Sequence, residues 1–120
     1  MSRPERVAEL IKKAVSQIII EKVSDPRIGF ISVTDVKITP DLKTAKIFIT
    51  VFGDEKVKKD TLAGLKSATP FIRGELGNEI DFKFVPEIYF VYDKDVEKAS
   101  RLLTIMNKLD MEKEKNKPDV

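Results

Sequence analysis

Acids and cations are the only chemistry this chain holds in quantity: 22 Lys and Arg face 20 Asp and Glu, with neither His nor Cys. Lacking His removes the commonest general base and the commonest metal ligand together. Lacking Cys removes thiolate nucleophiles, thiolate metal sites and disulfides, which suits a reducing compartment. A carboxylate pair could still activate a water, and Asp25, Asp35, Asp41, Asp54 and Asp81 are available. None of them has metal-ligand spacing, and Asp54 and Asp81 sit beside turns. The expectation is no catalytic residue, no metal and no cofactor.

The cations are better placed to neutralise phosphate, the contact that carries most RNA affinity. Candidates are Arg3, Arg6, Lys12 and Lys13 on a first helix, Arg27 in a loop, Lys37, Lys43 and Lys46 around a hairpin, and Lys66 and Arg73 beside a proline. A net charge of only +2 confines any such surface to a local patch. Two roles stay open for several residues. Arg27 could meet phosphate, or pair with Asp25 and hold its loop. Ser67 and Thr69 could offer hydroxyls and amides to phosphate, or cap a helix. Phe48 and Phe52 could stack on bases, though Phe on a helix-covered sheet is more often core.

The elements that position these residues follow from pattern. Val7, Leu10, Ile11, Ala14, Val15 and Ile18 recur at helical spacing, after a Ser2/Glu5 capping pair with Pro4 in the first turn. Asp25-Pro26 ends that helix. Strands are expected from about Gly29 to Ile38 and from Thr44 to Phe52, joined as an antiparallel hairpin through Pro40-Asp41. The first strand changes phase near Asp35, which predicts a β-bulge.

A helical stretch over Glu55–Ser67 and another over Phe71–Glu79 are expected to meet at a kink, because Pro70 clashes with the Lys66 carbonyl and lacks an N–H. A third strand over Lys83–Tyr92 and a last helix from Asp95 follow. That helix carries Val96, Ala99, Leu102, Leu103 and Met106. Residues 1–109 make one α+β domain ordered α-β-β-α-(kink)-α-β-α, and the charged stretch 110–120 reads as a disordered tail. No apolar run reaches membrane-spanning length, and no targeting segment follows the N-terminus, so the chain is expected to be cytoplasmic.

This order is similar to a type II KH domain, and the local residues are more specific. Asp25-Pro26-Arg27, the run from Ile31 to Leu42, Val51-Phe52-Gly53-Asp54, Phe71-Ile72-Arg73 and Val85-Pro86-Glu87-Ile88 resemble the ribosome-binding factor A family, as does Arg3-x-x-Arg6-Val7-Ala8. The resemblance covers about residues 3–109. It implies a monomeric, non-enzymatic assembly factor that binds the immature 30S subunit and its rRNA near the 5′-terminal helix. Late maturation, rRNA processing and cold adaptation are the implied roles. Further implied contacts are ribosomal proteins or an assembly GTPase, with no membrane. The alternative is a KH-like module docking such proteins without reading RNA.

In that family an interhelical kink centred on an alanine replaces the KH phosphate loop, and Ala68 matches it here. Many members have Gly two residues later, where this chain has Pro70, a substitution expected to stiffen the kink. Gly74-Glu75-Leu76-Gly77 spells a literal GXXG. It lies too late for the inter-helix turn and carries a Glu that repels phosphate, so Gly77-Asn78 reads as a helix stop instead.

Overall fold

The computed structural model describes residues 1–115, excepting the side chains of Glu97, Ser100 and 110–115. Helix α1 (Arg3–Glu21) starts where the Ser2 hydroxyl accepts the Glu5 amide at 3.2 Å, with Pro4 in the first turn. Its buried side is Ile11, Ala14, Val15, Ile18 and Ile19. Each large aliphatic here contributes roughly 1.5–3 kcal/mol through burial. Leu10, expected in the stripe, is exposed.

Strands β1 (Ile31–Ile38) and β2 (Thr44–Val51) pair antiparallel. The register slips between Val33 and Asp35, leaving Thr34 as the extra residue, so the expected bulge is present. Five residues, Thr39 to Lys43, make the turn. The Asp41 carboxylate accepts the Lys43 amide and the Thr39 hydroxyl, and Leu42 takes φ +63°.

Helix α2 (Glu55–Glu79) is capped by Asp54, whose carboxylate accepts the Val57 amide at 2.9 Å. The two helices expected on either side of Ser67–Pro70 are one continuous helix, a correction to the element order but not to the α+β class. Pro70 still deprives the Lys66 carbonyl of its N–H partner. Packing of Leu65, Ile72 and Leu76 on both sides of the proline holds the helix together. Gly77 also lies inside α2, which ends at Glu79. The expected stop at Gly77-Asn78 is therefore corrected. Gly77 approaches Val85, where a Cβ would stand 3.1 Å from the side chain.

By carrying the chain back along the sheet, α2 lets β3 (Glu87–Tyr92) enter parallel to β2, giving the order β1-β2-β3. The strand begins four residues later than expected, because buried Pro86 has no amide to give the ladder. Its first bond runs from the Glu87 amide to the Lys43 carbonyl. The core lies between α1, α2 and one sheet face, where Ala45, Ile47, Ile49, Val36 and Ile88 are buried.

Helix α3 (Lys94–Lys115) carries Val96, Leu102, Leu103, Ile105 and Met106 exposed, so it does not cover the sheet. It runs through part of the stretch expected to be a tail, and residues 116–120 lie outside the described residues.

Candidate nucleic-acid interface

On α1, Arg6 and Lys13 lie on the outward face, Arg3 is exposed at its start and Lys12 is half-buried on a flank. Arg3 and the turn residue Lys43 meet across a groove of about 430 Å³. Val7, Leu10, Phe82 and Phe84 give this groove apolar walls, Lys83 adds a third cation that the sequence does not single out, and Asp41 and Asp81 offset part of the charge. No local pattern marks Lys83, because the groove joins it to two distant segments, the start of α1 and the turn at 41–43.

The residues around Pro70 are not brought together. Lys66 and Thr69 line a groove against β3, with Leu62, Ile88 and Tyr89. Ser67 and Ala68 line another, about 350 Å³, against Lys22, Val23, Ser24 and Asp25. A continuous helix commits the amides of Ser67 to Thr69 to carbonyls one turn back. The Thr69 hydroxyl donates to the Leu65 carbonyl at 2.9 Å. Neither residue caps a helix, since none starts here. The region therefore exposes the Lys66 ammonium and the Ser67 hydroxyl rather than a nest of N–H groups.

Two of the candidate arginines are committed to the fold. Arg27 grips Asp25 through Nε at 3.1 Å and Nη2 at 2.7 Å, while its amide also donates to that carboxylate. These bonds hold the Asp25 carboxyl below its ordinary pKa, the Arg27 side-chain bond first, and raise Arg27. The loop is fastened to α2 by buried Thr61, which accepts the Gly29 amide and donates to the Arg27 carbonyl. Arg73 donates Nε to the Pro86 carbonyl and Nη2 to the Val85 carbonyl, both at 2.9 Å, with Glu87 at 3.4 Å. Lys22 is likewise occupied. Glu75 takes its ammonium at 2.8 Å and raises its pKa, chiefly by hydrogen bonding.

Lys37 and Lys46 stand on the sheet face away from the helices, in directly opposed register. The Lys37 ammonium lies 5.4 Å from the ring centre of Phe48. Phe48 and Phe52 are not in the core, as the commoner reading had them. Phe52 is 68% exposed, and its amide donates to the carbonyl of Phe30, itself 85% exposed. The alternation of β2, with Ala45, Ile47, Ile49 and Val51 turned inward, is the signal that puts both Phe outward. Gly74 and Gly77 lie within α2, so the GXXG is not an inter-helix loop.

Among the described residues no group of three acidic side chains could hold a metal ion, and no helix is long and apolar enough to cross a membrane. The sequence profile of the family described as Ribosome-binding factor A matches residues 3–106. A ribosome-binding factor A of Halothermothrix orenii is 44% identical over 117 residues, spanning 98% of this chain and 96% of that protein. The crystal structure of ribosome-binding factor A from Thermus thermophilus superposes with a TM-score of 0.67 at 19% identity, over 74% of this chain and 93% of that one. Thermus thermophilus coordinates fitted into a cryo-EM map of a 30S–ribosome-binding factor A complex give 0.60 at 20% identity, over 70% and 88%. The fold is thus the KH-like one of these structures. With the profile and the Halothermothrix relative both matched almost end to end, this chain belongs to the ribosome-binding factor A family.

Proposed function

We propose that this chain is a cytoplasmic assembly factor, not an enzyme, that binds the immature small ribosomal subunit through phosphates of its rRNA. The observation that carries the reading is the near end-to-end match to a ribosome-binding factor A. A relative fitted on the 30S subunit supports the same target. Contact near the 5′-terminal helix of the rRNA, and a role in late maturation and rRNA processing, are what membership of the family implies.

The cations left for phosphate are Arg3, Arg6, Lys12, Lys13, Lys37, Lys43, Lys46 and Lys66. Ser67 adds a hydroxyl, and Ala68 and Thr69 shape the surface beside it. Arg27 is paired with the Asp25 carboxylate and Arg73 holds backbone carbonyls instead. Co-sedimentation of the purified chain with immature small subunits tests this. Binding at low salt that falls as salt rises is expected, with a log–log slope of about 0.7–0.9 per phosphate contacted.

A protein contact is the second reading, favoured by the exposed apolar residues of α3. It predicts binding that charge reversal at Arg6 and Lys13 leaves intact.

A further inference from the structure

Helices α1 and α2 cover one face of the sheet and leave the other open. One cross-strand row on that open face reads Lys37, Lys46, Tyr89: the two lysines are directly opposed in β1 and β2, and Tyr89 is the β3 partner of Lys46. All three side chains are exposed, Tyr89 to 53%. Like charges in directly opposed positions repel, so the row is destabilising as it stands.

Neither ammonium has an ion-pair partner among the described residues. Nearby acids hold other partners: Asp35 accepts the Val36 amide, Glu87 faces Arg73, and Asp93 accepts the Thr34 hydroxyl while attracting Lys37 across space, beyond ion-pair distance. The ring of Phe48, in the next row, lies beneath Lys37 and favours keeping its charge on this face. Beside the pair runs a groove of about 270 Å³ lined by Lys37, Ile38, Thr39, Thr44 and Lys46.

We propose that this row binds an unpaired RNA nucleotide, with its phosphate between the Lys37 and Lys46 ammonium groups and its base stacked on the Tyr89 ring. The line midway between β1 and β2 lies about 7 Å from β3, one and a half strand spacings, the scale that separates a nucleotide's phosphate from the centre of its own base. An A-form duplex keeps its base faces stacked inside and offers Tyr89 nothing to stack on. The site therefore selects single-stranded segments, with little preference for base identity. It rests on the rRNA reading above and narrows it to unpaired nucleotides.

The test uses the full chain, fluorescence-labelled octauridylate, whose bases stack weakly on one another, and a labelled eight-base-pair RNA duplex, compared by anisotropy at low salt. Octauridylate is expected to bind more tightly than the duplex. Tyr89→Ala weakens it about tenfold while Tyr89→Phe retains it. The double variant Lys37→Gln/Lys46→Gln lowers the salt slope by about 0.7, for one phosphate. Circular dichroism checks that each variant folds, and removing the lysine repulsion favours folding.

Octauridylate ignored by the wild type, or bound equally by Tyr89→Ala, overturns the proposal. If small subunits still bind in that case, only this inference falls; if they do not, the rRNA reading falls with it. Weaker subunit binding by Tyr89→Ala without any effect on octauridylate marks a protein-docking face and overturns it too.

Discussion

Thr34 donates its hydroxyl to the Asp93 carboxylate at 2.6 Å, tying the bulge of β1 to the first turn of α3. The same carboxylate accepts the Val96 amide, and the Asp93 amide donates to the Ile49 carbonyl. One residue thus ends the sheet ladder, caps the helix and fastens the bulge.

These bonds, the Thr34 hydroxyl first and the Val96 amide next, hold the Asp93 pKa below its ordinary value. A carboxylate depressed in the folded state stabilises above its unfolded pKa of about 3.9, and that stability disappears as pH falls through the folded value. Thr34→Val is expected to cost about 1 kcal/mol at neutral pH. It should also lose less than the wild type between neutral and acid pH. Urea melts at both pH values check this, and parallel losses in the two proteins would contradict it.

Arg73 separates charge from hydrogen-bond geometry. Its two bonds to the carbonyls of Val85 and Pro86 set the entry to β3. Arg73→Lys keeps the charge but cannot span both acceptors, so it should lower stability by about 1–2 kcal/mol. Subunit binding by the folded fraction should change little. A binding loss as large as that of an α1 charge reversal would return Arg73 to the RNA contacts.

Two glycines of α2 should respond in opposite directions. A Cβ on Gly64 would stand 2.8 Å from the Ile28 side chain and 3.4 Å from Arg27, where the Asp25–Arg27 loop lies on the helix. Gly64→Ala should therefore destabilise by about 1–3 kcal/mol. Gly74 has nothing within 4 Å, so Gly74→Ala should stabilise by about 0.5–1 kcal/mol and leave RNA binding intact. Weaker RNA binding in Gly74→Ala would revive the GXXG clamp. Thermal melts and the anisotropy assay measure the two effects.

Pro70→Ala returns an N–H to the Lys66 carbonyl. Proline costs about 3 kcal/mol against alanine in a straight helix, and a helix already adapted to it should recover about 1 kcal/mol. A higher urea midpoint is the expected outcome. A lower one would mean that the packing of Leu65 and Ile72 depends on the proline geometry.

The sequence was most legible where one local force decides. Helical spacing in α1, the Ser2 cap, the hairpin and the bulge near Asp35 were all readable, because periodicity and turn chemistry act over a few residues. Pro70 misled, since core packing on both sides of it outweighs the local break. The last helix forms where its spacing places it but carries its apolar residues exposed, because periodicity shows which residues share a face and not what covers it. Among the candidate cations, the sequence shows residue type but not which side chains are committed to a partner. Arg73 and the carbonyls of Val85 and Pro86 meet only through the return of the chain after α2. The Lys37–Lys46 row needed the register, which the bulge shifts by one residue.

The most direct test of the central claim is sedimentation of this chain with immature small ribosomal subunits from about 50 to about 200 mM salt. Wild-type chain should migrate with the particles at the low end and leave them at the high end. The folded triple variant Arg6→Glu/Lys13→Glu/Lys66→Glu should fail to bind even at low salt. A wild-type chain that stays free of the particles at low salt, or a triple variant that binds as the wild type does, would contradict it.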